Sequence, residues 1–320
     1  MALAVAMIAF LVLGLWAHTG TMPPLVVVES SSMIHEENGE VGSIDAGDLI
    51  LVMDTPYDNI VTFAEASDRQ GKYFGYESHG MAGDVIIYQK NGDSGTPIIH
   101  RAILRVEASQ TTSPDRSVPE TADDTDHCPD EGTYDSATLD ADGQLGTCVL
   151  TWSVPGTNVT DSETITIRFD GYSAGYYDCK RFAHANVEPY LVVWNWQPKH
   201  AGIVTLGDNN QCSVDQGGLV VNGSSGVHST SGVAGPVREN WLVGVAGGEI
   251  PWLGTVKLML SGPSSPGTQY VPGSSFLFLA LVIGGIIFAP VGLEAIVKKI
   301  MRNSPEMYQA EAETDYSSEE

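Results

Sequence analysis

The sequence predicts a mainly β protein that carries a β-rich insertion and an apolar helix near each end. Short branched, apolar runs alternate with Gly-Asp and Asn-Gly turns, as in sheet proteins. Two long stretches are apolar, and an acidic tract interrupts the β pattern. The predicted parts are an N-terminal transmembrane anchor (1–21), a main β domain in two pieces (22–106 and 197–260), an acidic inserted subdomain (107–196), a linker (261–275), a second transmembrane helix (276–297) and a cytoplasmic tail (298–320).

The two long apolar stretches predict transmembrane helices, and the second of them is uncharged until Glu294. Residues 1–17 carry no charge and, as a helix, would cover about 25 Å, which just spans the apolar layer of a bilayer. A cleaved signal peptide is the alternative, and the lack of a basic segment before the apolar run favours an anchor. Residues 276–297 are followed by Lys298, Lys299 and Arg302, a positively charged flank typical of the cytoplasmic side. We therefore expect a multi-pass protein of the cell membrane whose β domain faces the extracytoplasmic side.

The region between the two apolar stretches has the pattern of a β domain. Branched runs at 25–28, 49–52, 85–88 and 98–104 predict strands, separated by turn residues. The β pattern resumes after 197 and ends at a Gly/Pro/Ser-rich segment that we interpret as a flexible linker.

The inserted segment, 107–196, differs in composition from the rest of the β domain. It begins with an acidic, Ser/Thr/Asp-rich tract and continues with alternating branched and polar residues at 164–169, which predict a half-buried strand. No complete EF-hand loop occurs among the acidic residues, so a loose acidic edge is favoured over a calcium site.

Charge and cysteine content exclude several kinds of function. Forty acidic against 15 basic residues give a net charge of -25, which disfavours nucleic-acid binding. No metal site is predicted, since the histidines and cysteines lack ligand spacing. The cysteines lie in the outer segment, where disulfides are permitted, and their three possible pairings stay open: Cys128, Cys148, Cys179 and Cys212.

Three separated segments carry residues suited to acyl transfer. They are Ser30–Met33 after the first apolar stretch, Ile98–Arg101 on a predicted hairpin, and Gly207–Asn210 with Asp215 beyond it. A serine hydroxyl needs a base to accept its proton, histidine suits that task at neutral pH, and an acid orients the histidine. Donors must stabilise the oxyanion, and the Ser32 amide and the Ser30 hydroxyl are the candidates.

These segments, in this order, resemble the motifs of type I signal peptidases. The resemblance consists of SSSM at 30–33, AGDLILV at 46–52, GDVIIY at 83–88 with IIHRAI at 98–103, TLGDNN at 205–210 and EIPWLG at 249–254. It covers about 30–104 and 200–256 and does not reach the insertion. It implies a signal-peptidase-like β catalytic domain. Because His100 stands where bacterial members have lysine, the chain is similar to the archaeal and endoplasmic-reticulum branch.

The resemblance also implies roles for individual residues. Ser32 would be the nucleophile, His100 the general base, and an aspartate would complete the site. Asp215 is the first choice, in Val214–Gly217, which keeps part of the family's Val-Asp-Asp-like stretch, and Asp208 is the second.

The chain departs from the family pattern after the motif methionine, where the family usually has proline. Ile34 and His35 stand there, and His35 is a weaker candidate base because it lies only three residues from the nucleophile. Arg101, beside the candidate base, either orients an acid or faces solvent.

The function implied is that of a membrane-bound serine endopeptidase that removes signal peptides from secretory precursors and needs no cofactor. Expected partners are these precursors, membrane lipid and the translocation machinery. The strand near 25–28 could receive an extended substrate at its edge or could lie in the core. Alternatives are a catalytically inactive relative that binds signal peptides or serves as a scaffold, and an acidic surface adhesin.

Overall fold

The computed structural model describes residues 2–35, 41–112, 149–179, 190–198, 200–210, 212–217, 234–261 and 266–302. The described part is mostly sheet with few helices, as the sequence predicts. In chain order its elements are α1 (Ala2–Thr19), β1 (Gly20–Val27), β2 (Leu49–Met53), α2 (Phe63–Ser67), β3 (Glu77–Ser78), β4 (Met81–Ala82), β5 (Val85–Tyr88), β6 (Ile98–Thr112), β7 (Val149–Ser153), β8 (Ile165–Arg168), β9 (Val192–Trp196), β10 (Gly202–Leu206), β11 (Leu242–Ile250), α3 (Gly254–Leu260) and α4 (Gly273–Arg302).

A large antiparallel sheet organises the protein. Its strands follow the order β1-β2-β11-β5-β6-β10, and β7 pairs with the far end of β6. Two further two-stranded sheets, β3 with β4 and β8 with β9, lie in the described part of the chain. Two apolar clusters flank the β5–β6 pair: Ile86 and Ala102 belong to one, and Val85 and Ile87 to the other. Because side chains alternate along a strand, neighbouring residues of β6 point to opposite faces.

Strand β6 crosses the boundary predicted between the main domain and the insertion. Its first half pairs with β5 and β10, and its second half pairs with β7, from Glu107 opposite Ser153 onward. The insertion also shares a core with the main domain: Trp152 and Phe169 lie in one apolar cluster with Phe63. Residues up to Pro272 form one compact unit. The insertion is therefore packed as part of the main β unit.

Within the described residues the structure shows one disulfide bond, where the sequence leaves three possible pairings open. Cys179 in the insertion is bonded to Cys212 in the segment after β10. Cys128 and Cys148 lie outside the described residues, as do most of the acidic tract (113–148) and residues 303–320 of the predicted tail.

The described residues contain one helix that is long and apolar enough to cross a membrane, α4. This helix begins at Gly273 and extends to Arg302, beyond the predicted 276–297 in both directions. At the other end, α1 stops at Thr19, and its apolar stretch, Val5–Thr19, is shorter than a full span. By length and composition, the described structure thus offers one span where the sequence predicts two.

The second half of the predicted linker contains local structure. Residues Pro266–Tyr270 form a 3-10 helix, and Val271 after it is buried against Ala46 and Leu258. Burial of this apolar side chain stabilises a defined path for the chain, which a Gly/Pro/Ser-rich composition alone does not predict. Residues 262–265 lie outside the described residues.

Candidate active site

The segment that carries Ser32 is held in place by the loop after β10. Ser32 lies on a turn that follows β1, in which the Ile34 N–H donates to the Ser31 carbonyl. From the other side, the Asn209 N–H donates to the Ser32 carbonyl at 2.7 Å, and the Asn209 side-chain amide donates to the Ser31 carbonyl at 2.9 Å. These two bonds bring the third motif, TLGDNN, against the first.

His100 lies between Ser32 and Asp215. Its Nε2 is 3.0 Å from the Ser32 Oγ, and its Nδ1 is 2.6 Å from the Asp215 Oδ2. A carboxylate only accepts hydrogen bonds, so Nδ1 donates its proton to Asp215. In the neutral ring this leaves Nε2 as the acceptor for the Ser32 hydroxyl proton. The arrangement is that of a serine activated by a histidine that an acid orients.

Asp215 is buried and accepts further hydrogen bonds from two hydroxyl groups. The Tyr88 hydroxyl donates to Asp215 Oδ2 at 2.9 Å, and the Thr205 hydroxyl donates to the same oxygen at 2.7 Å. The Asp215 N–H also donates to the Thr205 carbonyl at 3.0 Å. Burial, together with the charge of Asp215, raises the pKa of Tyr88 well above its usual value, so Tyr88 is a neutral donor.

Asp208, the second candidate acid, belongs to a different cluster. Its carboxylate accepts from Arg101 at 2.8 Å (Nη2) and 2.9 Å (Nε), lies 2.7 Å from His35 Nε2, and accepts from the Tyr177 hydroxyl at 3.2 Å. Burial disfavours the charged carboxylate, but Arg101 and His35 outweigh burial and hold the pKa of Asp208 well below its usual range. Of the two candidate acids, the structure brings Asp215, and not Asp208, to His100.

Arg101 is wholly buried and orients an acid, Asp208. Its guanidinium also donates to the backbone carbonyls of Ser78, His79 and Gly83, which fixes the loop before β5. The solvent-facing alternative is therefore wrong. The His35 ring is bound to Asp208, and the ring within hydrogen-bonding distance of Ser32 is that of His100.

Ser30 lies next to the candidate nucleophile. Its hydroxyl oxygen is 3.1 Å from the Ser32 Oγ, and the residue is exposed. A hydroxyl at this distance can turn its proton toward an oxygen that forms on a carbon attacked by Ser32.

A mostly apolar cleft opens at the Ser32 hydroxyl. The cleft has a volume of about 480 Å³, and Ser32, His100 and Asp215 are among the residues that line it. Its apolar lining comes from both sides of the site: Val27, Val28, Met33, Pro97, Ile98 and Ile99. Strand β1, which leads into the cleft, is the end strand in the order of the large sheet and pairs with β2. The predicted strand at 25–28 thus lies at a sheet edge.

Three residues of the site have roles that the sequence does not reveal: Tyr88, Thr205 and Asn209. Tyr88 ends an apolar run, where a tyrosine is typical of an ordinary core strand. Thr205 and Asn209 belong to the TLGDNN motif, but the motif does not say which group each side chain contacts.

Comparisons with protein-family models, with curated proteins and with solved structures each find no match to this chain.

Proposed function

We propose that the chain is a membrane-bound serine endopeptidase that cleaves signal peptides from secretory precursors. The observation that carries the proposal is the continuous hydrogen-bonded series from the Ser32 hydroxyl through His100 to Asp215. A buried carboxylate that holds a histidine against a serine beside an open cleft is suited to acyl transfer. An inactive binding protein or an adhesin has no need of this arrangement.

The reaction follows from the positions of these groups. The Ser32 Oγ attacks the carbonyl carbon of the scissile peptide while His100 Nε2 accepts the hydroxyl proton. Asp215 stabilises the imidazolium that forms, and the Ser30 hydroxyl and the Ser32 N–H donate hydrogen bonds to the oxyanion. His100 then gives the proton to the leaving amine, and an acyl-serine remains. Water, deprotonated by His100, hydrolyses the ester and restores Ser32.

The proposed substrate class rests on the resemblance and on the form of the cleft. Apolar walls suit the small apolar residues that precede a signal-peptide cleavage site. An extended precursor segment could add to the edge strand β1 and place its scissile bond at Ser32. Helices α1 and α4 would hold the enzyme in the lipid bilayer beside its substrate and near the translocation machinery, which raises the effective concentration.

The test compares the purified full chain with four single variants on a membrane-inserted precursor. We expect Ser32→Ala and His100→Ala to lower the cleavage rate by about four to six orders of magnitude, since triad members act as a unit. Asp215→Asn should lose about four orders of magnitude because the histidine tautomer changes.

Asp208→Asn is the matched control, because it removes an equally buried carboxylate that does not contact His100. It should keep much more activity than Asp215→Asn, provided that both variants are folded by circular dichroism. The proposal is wrong if the wild-type chain does not cleave the precursor, or if Ser32→Ala cleaves as fast as wild type.

A further inference from the structure

The carboxylate that orients His100 is surrounded by more donors than an orienting acid requires. Asp215 Oδ2 is 2.6 Å from His100 Nδ1, 2.7 Å from the Thr205 Oγ1 and 2.9 Å from the Tyr88 hydroxyl. Tyr88 and Thr205 are both 0% exposed. Both hydroxyl oxygens lie within hydrogen-bonding distance of the one oxygen that also receives the histidine proton.

The directions of these hydrogen bonds follow from the neighbouring groups. Asp215 cannot donate, so both hydroxyls must donate to it. The Thr205 Oγ1 in turn accepts from the Gln216 side-chain amide at 3.1 Å, and the Gln216 carbonyl oxygen accepts from the Thr205 N–H at 2.8 Å. Thr205 is thereby held in the rotamer that aims its proton at Asp215.

A phenol in this position requires a specific explanation. The three preceding residues of β5, Val85–Ile87, are fully buried branched side chains, and phenylalanine would fill the volume of Tyr88 without a polar atom. The phenol is accommodated because its hydroxyl reaches Asp215 and lies 3.0 Å from the Thr205 Oγ1. Its most direct use is therefore at the carboxylate.

We propose that Tyr88 and Thr205 are positioning residues that hold the Asp215 carboxylate ionised and oriented toward His100. This inference rests on the proposed function, because it assigns the two hydroxyls to the same site. Two neutral donors offset the desolvation of a buried carboxylate and share its negative charge. They also fix the oxygen to which His100 Nδ1 donates, and hence the orientation in which Nε2 faces Ser32.

Loss of either hydroxyl changes the pH dependence of cleavage in a defined direction. With fewer donors, the Asp215 charge is less shared and attracts a proton on His100 more strongly, or the carboxylate itself takes up a proton more easily. In both cases the reactive form appears at higher pH. The acidic limb of the kcat/KM profile should therefore move to higher pH, whereas a merely structural defect lowers the rate equally at every pH.

The experiment measures kcat and KM across pH for wild type, Tyr88→Phe, Thr205→Val and Thr205→Ser. Tyr88→Phe and Thr205→Val should lower kcat at neutral pH about 10- to 100-fold, the effect of removing one hydrogen bond to a charged group, with little change in KM. Thr205→Ser keeps the hydroxyl and should restore most of kcat and the wild-type profile.

Tyr57→Phe is the matched control for Tyr88→Phe. The Tyr57 hydroxyl donates to the Val237 carbonyl at 2.8 Å, and neither residue is part of the candidate active site. Burial raises the pKa of Tyr57 to about 12, so this phenol is also a neutral donor. Its loss should leave the pH profile unchanged.

A second measurement separates failure of this inference from failure of the proposed function. In ¹⁵N-histidine NMR spectra of the Ser32→Ala chain, the His100 ring signals should change with pH at a higher midpoint when Tyr88→Phe is added. This readout does not require cleavage. Unchanged NMR midpoints in Tyr88→Phe and Thr205→Val overturn the inference, and so do unchanged kcat profiles in a chain that cleaves. A wild-type chain that does not cleave contradicts the proposed function alone.

Discussion

The ion pair between Asp208 and Arg101 is closed to water, unlike the pair between Lys257 and Glu29. Both side chains of the first pair are 0% exposed, against 58% and 42% for the second. Asp208→Asn leaves the Arg101 charge buried without a counter-charge, so we expect the free energy of unfolding to fall by about 3–5 kcal/mol. The exposed pair is the control: Glu29→Gln should lower it by less than about 1 kcal/mol. Urea denaturation at pH 7 measures both losses of stability. Equal losses in the two variants would contradict the expectation that the buried ion pair contributes more than the exposed one.

The same pair predicts a dependence of stability on acid. Arg101 and His35 hold the pKa of Asp208 below its usual range, despite its burial. A carboxylate whose pKa is depressed in the folded state stabilises that state fully above the pKa of the unfolded chain, about 4. This stabilisation is lost as the pH falls toward the pKa of the folded state. The difference in the free energy of unfolding between wild type and Asp208→Asn should therefore be constant from pH 7 to about 5 and shrink below about pH 4. A difference that grows on acidification would refute this.

His35 should support the nucleophile segment without taking its proton. Its ring binds Asp208, the residue directly before Asn209, which donates to the Ser31 and Ser32 carbonyls. We expect His35→Ala to lower kcat about 3- to 10-fold, the effect of losing one hydrogen bond, and His35→Gln, which can still donate, to recover part of it. A loss as large as that of His100→Ala would instead make His35 the base. Steady-state kinetics on the same precursor distinguishes the two.

The resemblance ranks Asp215 above Asp208 as the candidate acid, but the residues alone do not show which of the two meets His100. His100 and Arg101 are neighbours on β6, so their side chains point to opposite faces. One aspartate meets each face: Asp215 binds His100 and Asp208 binds Arg101. The aspartate that meets each face depends on how the strands pair in the sheet. Composition and motif spacing do not specify that pairing.

At the scale of elements, the disulfide joins the insertion to the segment between β10 and Asp215. Cys212 lies between Asn210 and Asp215, and its partner, Cys179, lies in the insertion 33 residues earlier. Replacing both cysteines by serine should lower the free energy of unfolding by about 3–4 kcal/mol, because a loop of this length is no longer closed in the unfolded chain. Thermal melting with and without reductant measures it, with reduced wild type expected to match the double variant. An unchanged melting temperature would show that the bond adds nothing.

The positions of the strands could be predicted better than their extents. Branched, apolar runs located β2 and β5, since both lie in the sheet interior and have few polar residues. The length of β6 was missed, because its second half, after Val106, turns polar and continues only through pairing with β7. The burial of Val271, within the predicted linker, likewise depends on residues distant in the sequence.

At the scale of the whole molecule, the proposed arrangement in the membrane predicts which parts of the chain a protease can reach. If the β unit is extracytoplasmic and the C-terminus cytoplasmic, protease added to sealed right-side-out vesicles should digest the β unit. A tag after Glu320 should survive on a fragment containing α4 (Gly273–Arg302). Detergent-opened vesicles are the control, in which the tag should also be lost. Loss of the tag in sealed vesicles would place the C-terminus outside and contradict the two-span arrangement.

The continuity of β6 limits how far this protein can be shortened. Cutting out 107–196 would halve a hydrogen-bonded strand and remove Trp152 and Phe169 from the cluster that covers Phe63. The remaining chain would keep every candidate active-site motif, yet would present fresh apolar surface and an unpaired strand edge to solvent, a combination that promotes aggregation. The smallest soluble version of this protein for crystallisation or ligand screening must therefore include the insertion, even though no candidate catalytic residue lies within it.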